Sequence, residues 1–433
     1  MKILYDYQAF YIQDAGGISN SFVQLMRHLP SSSEVKLAMR ESDNVHLQGQ
    51  PFAQEVRPAG CTKRNFISTR HYPLKGDLYK VFSKLAPSHT TLGRNKHYAI
   101  QLLDAADYDI FHPTFFDEYF LPHLHGRPFV LTIHDMIPEL YFKRGDMQIE
   151  RKRHLVKLAA HIVAVSEHTK ADIVELLHVD PHKISVIHHG PPALLQPAQQ
   201  KLFDFPYLLY VGKRTSYKNF AAMFPALQIF FREHPDWRMV CTLVPFTKKE
   251  LAAFSALGLT QHFVFARPDD AELLALYRDA QAFIFPSLYE GFGIPILEAY
   301  QMDCPVLLNR KSCFPEVAGE AALYFNLDET QDNLLDCLQT LAAMSTTAKE
   351  ELLSCIKDDE LYIRLDKKKN RIDILEDGIK ADNWWEFEKP KGKHDIEYQM
   401  KYLADQLEDG KIYKISDIIT DKAHKKQERN EEK

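Results

Sequence analysis

Short apolar runs alternate with amphipathic stretches through the first half of the chain. Apolar runs bounded by polar residues predict buried strands, and apolar positions three or four apart predict helices. The predicted strands are MKILYDY, YDIFHPT, PFVLTIHD, HIVAVSE and KISVIHHGPP. The predicted helices are TKADIVELLHV and GISNSFVQLMRHL, the latter with Ile18, Phe22, Leu25, Met26 and Leu29 on one face. Several of these strands end in polar residues, which is typical of the carboxyl edge of a parallel sheet.

The same rhythm restarts after residue 205. The predicted strands are YLLYVGK, WRMVCTLV, HFVFARP, AFIFPS, CPVLLN and AALYFN, and the predicted helices are NFAAMFPALQIFFREH, AELLALYRDA and GIPILEAYQM. The proline-containing stretch 191–205 between the two halves predicts a linker. We therefore predict an α/β protein with two Rossmann-like, doubly wound domains, at residues 1–195 and 196–355, that face a cleft.

The pattern changes after residue 356, where about half of the residues are charged against 26% in the whole chain. The stretch ELYIRLDKKKNRIDILED alternates apolar and polar residues on both sides of a polar turn and predicts a hairpin. The stretch DIEYQMKYLADQLED predicts an amphipathic helix, and KAHKKQERNEEK predicts a frayed end. Residues 356–433 are thus predicted to form a small α+β appendage of unknown role.

Composition excludes several classes of function. A net charge of -6 argues against a protein that binds nucleic acid or anionic membranes by bulk attraction. The six cysteines include no C-x-x-C pair, which argues against a zinc site or a disulfide scaffold and favours a reducing cytoplasm. No apolar run approaches the roughly 20 residues of a membrane span, and the first residues predict a strand rather than a signal peptide.

The strongest chemical signal is SLYEGFGIPILEA, residues 287–299. Pro295 suits the first turn of a helix, so the preceding glycine-rich loop enters a helix N-terminus, where free N–H groups favour an anion. Glu290 precedes the loop and Glu298 lies about one turn into the helix, and carboxylates accept hydrogen bonds from hydroxyl groups. A nucleotide sugar has a diphosphate between two hydroxyl-bearing sugars and meets all three demands. The alternative is an ordinary capped surface helix.

Two further stretches place charged or titratable groups at strand ends. YVGKRTSYKNF presents Lys213, Arg214 and Lys218, cations that can offset the charge of a departing diphosphate in place of a metal ion. The alternative for this stretch is a solvated basic loop. LTIHDMIPELY places His134 and Asp135 at the edge of the first sheet, where the histidine could contact a reacting sugar. A structural, hydrogen-bonded histidine is the alternative.

Other signals are weaker. Gly16 and Gly17 precede the first long helix and could approach a phosphate or sugar, but a plain tight turn explains them equally well. Ser166 or Thr169 is best explained as a helix cap. The pair His188 and His189 is a poor metal site, because adjacent residues on a strand point to opposite faces.

Residues 1–350 resemble the family-4-type retaining glycosyltransferases, which have the GT-B fold. The resemblance rests on the E-x7-E motif from Glu290 to Glu298, together with YVGKRTSYKN, TIHDMIPE and AVSEHTKADI in the expected order. The TIHDMIPE and YKNF variants are most similar to mannosyltransferase-like members. The resemblance implies that Glu298 binds the nucleotide ribose and that Glu290 contacts the donor sugar. The loop that would cradle the sugar and diphosphate is Gly291, Phe292, Gly293 and Ile294.

The resemblance also implies that Lys218, with Lys213 and Arg214, neutralises the diphosphate. His134 would lie near the transferred sugar and Gly17 beside the phosphates. We expect His134, Glu290 and Lys218 to be the catalytic residues. Such enzymes typically need no metal or other cofactor and retain anomeric configuration by same-face attack, with the leaving phosphate helping to take the acceptor proton.

Three departures from the family pattern stand out. Lys213 occupies a position that is often arginine, and IHHGPP replaces the Asn-Gly-Val segment common at the end of the first domain. The Phe-Ser-Trp signature and the terminal helix that crosses back to the first domain have no clear counterpart; Trp384 and Trp385 lie too far downstream. The nearby donor contacts and the origin of the tail therefore stay open.

The function expected from these residues is transfer of a hexose from a GDP- or UDP-linked sugar to a glycan or lipid-linked acceptor, in bacterial polysaccharide or lipopolysaccharide biosynthesis. Nucleic acid is not an expected partner. The alternatives are a nucleotide-sugar epimerase or hydrolase on the same frame, and a non-catalytic sugar-nucleotide-binding protein. We expect a cytoplasmic location with possible peripheral contact at the inner membrane. The basic, aromatic segment 61–80 could line an acceptor groove or touch anionic lipid head groups, or be a flexible polar loop.

Overall fold

The structure, a computed structural model, is organised in two compact units, residues 1–353 and residues 354–433. It describes residues 1–30, 32–70, 74–142, 145–190, 196–214, 216–327, 333–355, 361–366, 371–376, 379–386 and 412–414. The first unit contains two lobes, each built on a parallel sheet. The predicted boundaries at residues 195 and 355 stay predictions.

Among its described residues, the first lobe carries six parallel strands in the order β2-β1-β3 and β4-β5-β6. They are β1 (Lys2–Asp6), β2 (Glu34–Ala38), β3 (Ile110–His112), β4 (Val130–Ile133), β5 (His161–Ala164) and β6 (Ile184–Val186). A single parallel bridge between Phe111 and Phe129 joins the two groups of three. The chain runs from β1 to β2 on one side and then to β3 on the other, so the direction of winding reverses between β1 and β3.

In the described part of this lobe, seven helices accompany the sheet. They are α1 (Gln8–Ile12), α2 (Gly17–Arg27), α3 (Lys75–Leu85), α4 (Thr91–Ala105), α5 (Ile137–Tyr141), α6 (Met147–Leu158) and α7 (Glu167–Leu177). Helix α2 buries Phe22 and Met26 in the core of the lobe, as its apolar face predicts. Ser166 is the N-cap of α7 and its hydroxyl accepts the N–H of Thr169, so the predicted cap is confirmed.

The second lobe has one six-stranded parallel sheet in the order β12-β11-β10-β7-β8-β9. The strands are β7 (Tyr207–Tyr210), β8 (Arg238–Cys241), β9 (Phe263–Phe265), β10 (Ala282–Phe285), β11 (Val306–Asn309) and β12 (Ala322–Phe325). The central strands are buried along their whole length, because helices cover both faces of the sheet. The winding reverses between β7 and β10, and in such sheets ligands bind at the carboxyl ends of the strands at this switch point.

The helices of the second lobe pack on both faces of its sheet. They are α8 (Phe224–Glu233), α9 (Lys248–Ala256), α10 (Asp270–Asp279), α11 (Ile294–Gln301), α12 (Phe314–Ala318), α13 (Leu334–Ala343) and α14 (Thr346–Ser354). Two apolar clusters lie on opposite sides of the sheet, one around Phe230 and Phe254 and the other around Phe285 and Phe314. This arrangement confirms the predicted doubly wound lobe.

The second unit contains β13 (Leu361–Asp366), β14 (Arg371–Glu376), β15 (Ile379–Glu386) and β16 (Ile412–Lys414), in the antiparallel order β15-β14-β13-β16. Strands β13 and β14 pair from Leu361 with Glu376 to Asp366 with Arg371, which confirms the predicted hairpin pairing. The predicted amphipathic helix (395–409) and frayed end (422–433) lie outside the described residues. Within the described part of the chain, no helix is both long enough and apolar enough to cross a membrane.

Candidate active site

The loops that follow β7 and β10 meet at the switch point of the second sheet. The N–H of Leu288 donates to the carbonyl of Tyr217, which ties the two loops together. Lys218 Nζ donates to Glu290 Oε1 over 2.6 Å, and their side chains are only 17% and 11% exposed. Burial raises the pKa of the Glu290 carboxyl, and the charge and hydrogen bond of Lys218 oppose this rise. The structure thus brings two of the three predicted catalytic residues together.

The loop that begins at Glu290 is held from behind by residues that follow β11. The hydroxyl of Ser312 donates to the carbonyl of Glu290 over 2.7 Å and lies 3.2 Å from the Glu290 N–H. The thiol of Cys313 lies 3.3 Å from the carbonyl of Glu290 and 3.1 Å from that of Phe292. These contacts fix the backbone on both sides of Gly291, and therefore fix the direction in which the Glu290 side chain projects.

Glu298 lies one turn inside α11, the helix that the glycine loop enters. Gly293 precedes the helix with φ 92°, a left-handed conformation that favours glycine, and Pro295 occupies the first turn. The hydroxyl of Tyr277 donates to Glu298 Oε2 over 2.9 Å. Burial raises the pKa of the Glu298 carboxyl, against the effect of this hydrogen bond. The two glutamates therefore flank the helix N-terminus, as their spacing predicts.

His134 follows β4 at the carboxyl edge of the first sheet. Its ring stacks on that of His189 with centroids 5.6 Å apart, and Phe22 packs edge-on at 5.5 Å. Burial, reinforced by the neighbouring His189, His112 and Lys152, lowers the pKa of His134 well below its usual value. The ring is therefore neutral near pH 7. Its Nε2 is buried and has no hydrogen-bond partner among the described residues, so this nitrogen is available to a ligand.

The two lobes meet at Gly291. A Cβ atom at this position would lie 1.6 Å from the carbonyl oxygen of His134, so only glycine fits. The hydroxyls of Ser166 and Thr169, in the first turn of α7, donate to the carbonyl of Gly291 over 2.7 and 3.1 Å. The loop of the second lobe is therefore seated between the end of β4 and the start of α7 in the first lobe.

Two more side chains reinforce this contact between the lobes. The carboxylate of Glu316 accepts the N–H groups of Glu167 and His168, over 2.6 and 3.1 Å, and lies 2.7 Å from His188 Nε2. The hydroxyl of Tyr289 donates to Asp172 over 2.5 Å. A carboxylate at the N-terminus of α7 is favourable because it meets unpaired N–H groups and the positive end of the helix dipole.

The remaining predicted donor residues occupy different surroundings. Gly17 faces Ile294 across the cleft, because a Cβ at Gly17 would lie 3.7 Å from the Ile294 side chain. Lys213 is exposed on the loop after β7. Arg214 is buried in the second lobe, where Nε donates to Glu250 over 2.6 Å and Nη2 donates to two carbonyls. The structure does not include Arg214 in the Lys218–Glu290 pair, and its role toward a diphosphate stays a prediction.

Several concave regions lie in the described part of the first lobe, and two of them bear on the site. An open, largely apolar cavity of about 600 Å³ is lined by His112, His134 and His189, with Ile294 of the second lobe at its rim. A smaller pocket of about 270 Å³ lies at the switch point between β1 and β3. It is lined by the aromatic residues Tyr7, Tyr11, Phe115 and Phe116, and by polar residues that include Gln148, Asp117 and Arg151. We call this smaller region the first-lobe pocket.

Metal-binding side chains do not cluster in the described part of the chain, where no group of three or more His, Cys, Asp or Glu residues is arranged to hold an ion. His188 and His189 diverge: the first approaches Glu316, and the second stacks on His134. No disulfide joins the cysteines of the described residues. The expectation that the chain works without a metal stays a prediction.

Sequence comparison places these residues in a known family. The family model described as Glycosyltransferase Family 4 matches residues 15–193, and the model described as Glycosyl transferases group 1 matches residues 196–339. Together the two matches cover about three-quarters of the chain. The chain belongs to the family 4 glycosyltransferases.

Among individual proteins of this family, the chain is similar to mannosyltransferases. It is 29% identical over 204 residues to the O-antigen chain mannosyltransferase RfbU of Salmonella typhimurium, which covers 46% of this chain and 57% of RfbU. It is 28% identical over 266 residues to O-antigen chain mannosyltransferase B of Escherichia coli, which covers 57% of this chain and 68% of that protein. The matched part of the chain thus spans 57% of the length of the first relative and 68% of the length of the second.

Solved structures confirm the fold. The Anabaena protein HepE, solved with UDP and glucose, superposes with a TM-score of 0.57 at 16% identity, over 82% of this chain and 93% of HepE. The lipopolysaccharide outer core galactosyltransferase WaaB superposes with a TM-score of 0.51 at 15% identity, over 83% of this chain and 96% of WaaB. The predicted GT-B fold, with its two Rossmann-like lobes, is therefore confirmed.

Sequence reasoning missed the residues that support the site from a distance. Tyr277, Ser312 and Glu316 lie 21, 22 and 149 residues from the groups that they contact. Nothing in the residues around Glu316, SCFPEVAG, indicates that its side chain contacts the other lobe. The sequence indicates only that a helix starts here, because Pro315 and Glu316 are typical of a first helical turn.

Replacing Gly291 by alanine tests the seat between the lobes. The added Cβ overlaps a backbone oxygen that has no free rotation, so the loop must shift and carry Glu290 with it. We expect the rate of sugar transfer to fall about 100-fold, because a displacement of about 1 Å is enough for such a loss. Gly190→Ala is the matched control, since a Cβ there meets no atom within 4 Å. Equal rates for both variants would contradict the proposed seat.

The buried histidine His112 predicts a pH-dependent stability. Burial lowers its pKa to about 4 from a usual 6.5, so below pH 6.5 the unfolded chain takes up a proton that the folded chain does not. The contribution of His112 to the free energy of unfolding is therefore fully present above pH 6.5 and is lost as the pH falls toward 4. His112→Gln should reduce the loss of unfolding free energy between pH 7 and pH 5 by about 2 kcal/mol. Denaturant titrations at both pH values measure this loss, and identical losses in parent and variant would rule out a buried neutral His112.

Proposed function

We propose that the chain transfers a hexosyl group from a nucleotide-diphospho-sugar to a glycan or lipid-linked acceptor, with retention of anomeric configuration and without a metal ion. The observation that carries this proposal is the buried Lys218–Glu290 pair beside the N-terminus of α11, at the switch point of the second sheet. Lys218 and the positive end of the α11 dipole suit the diphosphate, Glu290 suits the hydroxyls of the donor sugar, and Glu298 suits those of the ribose.

The donor fits this site in one orientation. The diphosphate lies over the loop from Gly291 to Ile294, where helix N–H groups and Lys218 meet its charge. The ribose hydroxyls donate to Glu298 at one end, and a hexose hydroxyl donates to Glu290 at the other. Lys218 has three N–H donors and one of them reaches Glu290, so it can contact the diphosphate without leaving the carboxylate. Lys213 adds charge at the rim of the same loop.

The chemistry follows from this placement. The bond between the anomeric carbon and the diphosphate oxygen breaks, and the nucleoside diphosphate leaves with the electron pair. The acceptor hydroxyl forms the new bond on the same face and passes its proton to the leaving phosphate. Lys218 and the α11 N-terminus stabilise the charge that develops on that phosphate, a role that other phosphate-handling enzymes give to a metal ion. Closure of the lobes at Gly291 keeps water from competing with the acceptor.

His134 contributes a neutral imidazole. His134 belongs to the first lobe, which faces the donor, and its Nε2 has no partner among the described residues. A neutral ring can accept a hydrogen bond from a sugar hydroxyl or donate one to it. Because its pKa is lowered by burial, the ring adds no positive charge next to the sugar as positive charge develops there. His134 thus positions the sugar rather than serving as an acid.

The acceptor fits the first-lobe pocket. This pocket lies at the switch point of the first sheet, as the donor site lies at that of the second. Its aromatic rings can pack on the apolar face of a sugar, and Gln148, Asp117 and Arg151 can bond to hydroxyls. The similarity to O-antigen mannosyltransferases favours a mannosyl donor and a role in bacterial surface polysaccharide synthesis. We propose a cytoplasmic location, where nucleotide sugars are available.

Binding of the nucleotide is the first test of this proposal. GDP or UDP at about 100 times its dissociation constant should raise the unfolding midpoint by about 5 °C in the presence of EDTA, because the ligand stabilises only the folded lobe. Lys218→Gln should reduce the shift by removing the cation that meets the diphosphate. The measurement is a thermal unfolding curve at matched ionic strength. An absence of any shift with both nucleotides would argue against the donor site.

Loss of the Glu290 carboxylate is the second test. Glu290→Gln keeps an acceptor for Lys218 and the shape of the side chain, so the fold should survive, while transfer should fall at least about 100-fold. Glu175→Gln, which changes an exposed carboxylate of α7, is the matched control and should behave as the parent. Transfer is followed as sugar incorporated into acceptor, and hydrolysis as free sugar released. Hydrolysis that is equal with and without acceptor would support the hydrolase instead.

A further inference from the structure

Two tyrosine rings meet across the lobes beside the Lys218–Glu290 pair. Tyr141 ends α5 in the first lobe, and Tyr217 lies in the loop after β7 in the second. Their ring centroids are 5.4 Å apart, with the ring planes tilted by 42°. Tyr289 of the second lobe also packs against Tyr141, with centroids 6.4 Å apart. We refer to Tyr141 and Tyr217 as the tyrosine wall.

Tyr217 lies next to the groups that we expect to bind the donor. Lys218 Nζ is 5.3 Å from the centroid of the Tyr217 ring and 2.6 Å from Glu290 Oε1. The carbonyl of Tyr217 accepts the N–H of Leu288 over 2.8 Å, so its backbone is tied to the loop that leads into Glu290. The ring therefore has a fixed place near the carboxylate that the hexose hydroxyls would meet.

The hydroxyl of Tyr217 differs from those of the other tyrosines in the second lobe. Six of them donate to a backbone carbonyl or a carboxylate, and they are Tyr207, Tyr210, Tyr277, Tyr289, Tyr300 and Tyr324. Tyr217 is half-buried, yet its hydroxyl makes no such bond within the described part of the chain. Because a tyrosine hydroxyl away from water usually has a partner, this one is available to a ligand.

Carboxylates from both lobes act on Tyr217. Burial, together with the charges of Glu290 and Asp135, raises the pKa of Tyr217 to about 12. Asp135 directly follows His134 at the carboxyl edge of the first sheet. The phenol is therefore neutral near pH 7, and it places no negative charge beside a diphosphate. A neutral ring at this point, where the two lobes meet, suits the uncharged part of the donor, which is its hexose.

We propose that the tyrosine wall packs against the C–H face of the transferred hexose and so recognises the sugar part of the donor. This inference deepens the proposed function and rests on it. A pyranose ring carries C–H groups on its faces, and an aromatic ring on such a face removes it from water while hydroxyls at the edge reach polar groups. Tyr217 supplies the ring that touches the sugar. Tyr141 is a positioning residue that holds this ring from the other lobe.

The tyrosine wall could otherwise serve only to hold Lys218 in place, and the two roles affect different parts of the donor. A residue that acts through Lys218 changes the affinity for every ligand with a diphosphate, because Lys218 meets the phosphates. A residue that contacts the hexose changes the affinity only for ligands that carry one. GDP-mannose contains the hexose that GDP lacks, so a comparison of these two ligands distinguishes the roles.

Isothermal titration calorimetry with the full chain tests this proposal. Tyr217→Leu should weaken binding of GDP-mannose about tenfold, through loss of the ring contact, and leave binding of GDP unchanged. Tyr217→Phe keeps the ring and should bind GDP-mannose nearly as the parent does. Tyr141→Leu should act in the same direction as Tyr217→Leu but less strongly. The matched control is Tyr98→Leu in α4, where the tyrosine ring packs against Arg40 at 4.2 Å, and it should bind both ligands as the parent does.

The outcomes separate the tyrosine wall from the donor site as a whole. UDP and UDP-glucose are titrated in parallel, and the variants are compared with the pair of ligands that the parent binds more tightly. Equal losses for nucleotide and nucleotide sugar in Tyr217→Leu would assign Tyr217 to the support of Lys218 and overturn the proposal. Unchanged affinity for the nucleotide sugar, or the same loss in Tyr217→Phe as in Tyr217→Leu, would overturn it as well.

The affinity of the parent for the nucleotide alone shows which proposal has failed. A parent that binds neither GDP nor UDP refutes the donor site, and the tyrosine wall with it. A parent that binds nucleotide normally, with variants that fail the comparison, refutes only the contact between the tyrosine wall and the hexose. Unchanged nucleotide binding in each variant also shows that the variant is folded.

Discussion

The site depends on a contact in which a backbone oxygen of one lobe occupies the space that a side chain would need in the other. Gly291 lies against the carbonyl of His134, and the hydroxyls of Ser166 and Thr169 hold its own carbonyl from the first turn of α7. Because backbone contacts cannot be relieved by a change of rotamer, they define one closed arrangement of the lobes. This contact fixes the positions of Glu290 on one side of Gly291 and of the α11 N-terminus on the other.

Electrostatics then decides what the closed site can hold. Glu290 is buried and would bind a proton readily, but Lys218 at 2.6 Å favours its charged form. The pair is nearly neutral as a unit, so the positive end of the α11 dipole is left without a compensating negative charge. A diphosphate supplies that charge. The first lobe contributes a neutral histidine and an aromatic pocket, and so leaves the charge compensation to the second lobe.

The sequence predicted well those features that are local in the chain. The buried strands of the second lobe, helix α11 and the flanking of its N-terminus by Glu290 and Glu298 all follow from short-range patterns. Strand β2 was not predicted, because an edge strand with Glu34 and Lys36 has no continuous apolar run. The contacts of Glu316, Ser312 and Arg214 could not be predicted, because each joins residues that only the tertiary fold brings together.

A crystal structure of the complex with a nucleoside diphosphate would show whether the donor binds between Glu290 and Glu298. We expect phosphate oxygens within about 3 Å of Lys218 Nζ and of the backbone nitrogens of residues 291–294, with the ribose hydroxyls on Glu298. A nucleotide bound elsewhere, with Glu290 and Glu298 making no contact to it, would show that this is not the donor site.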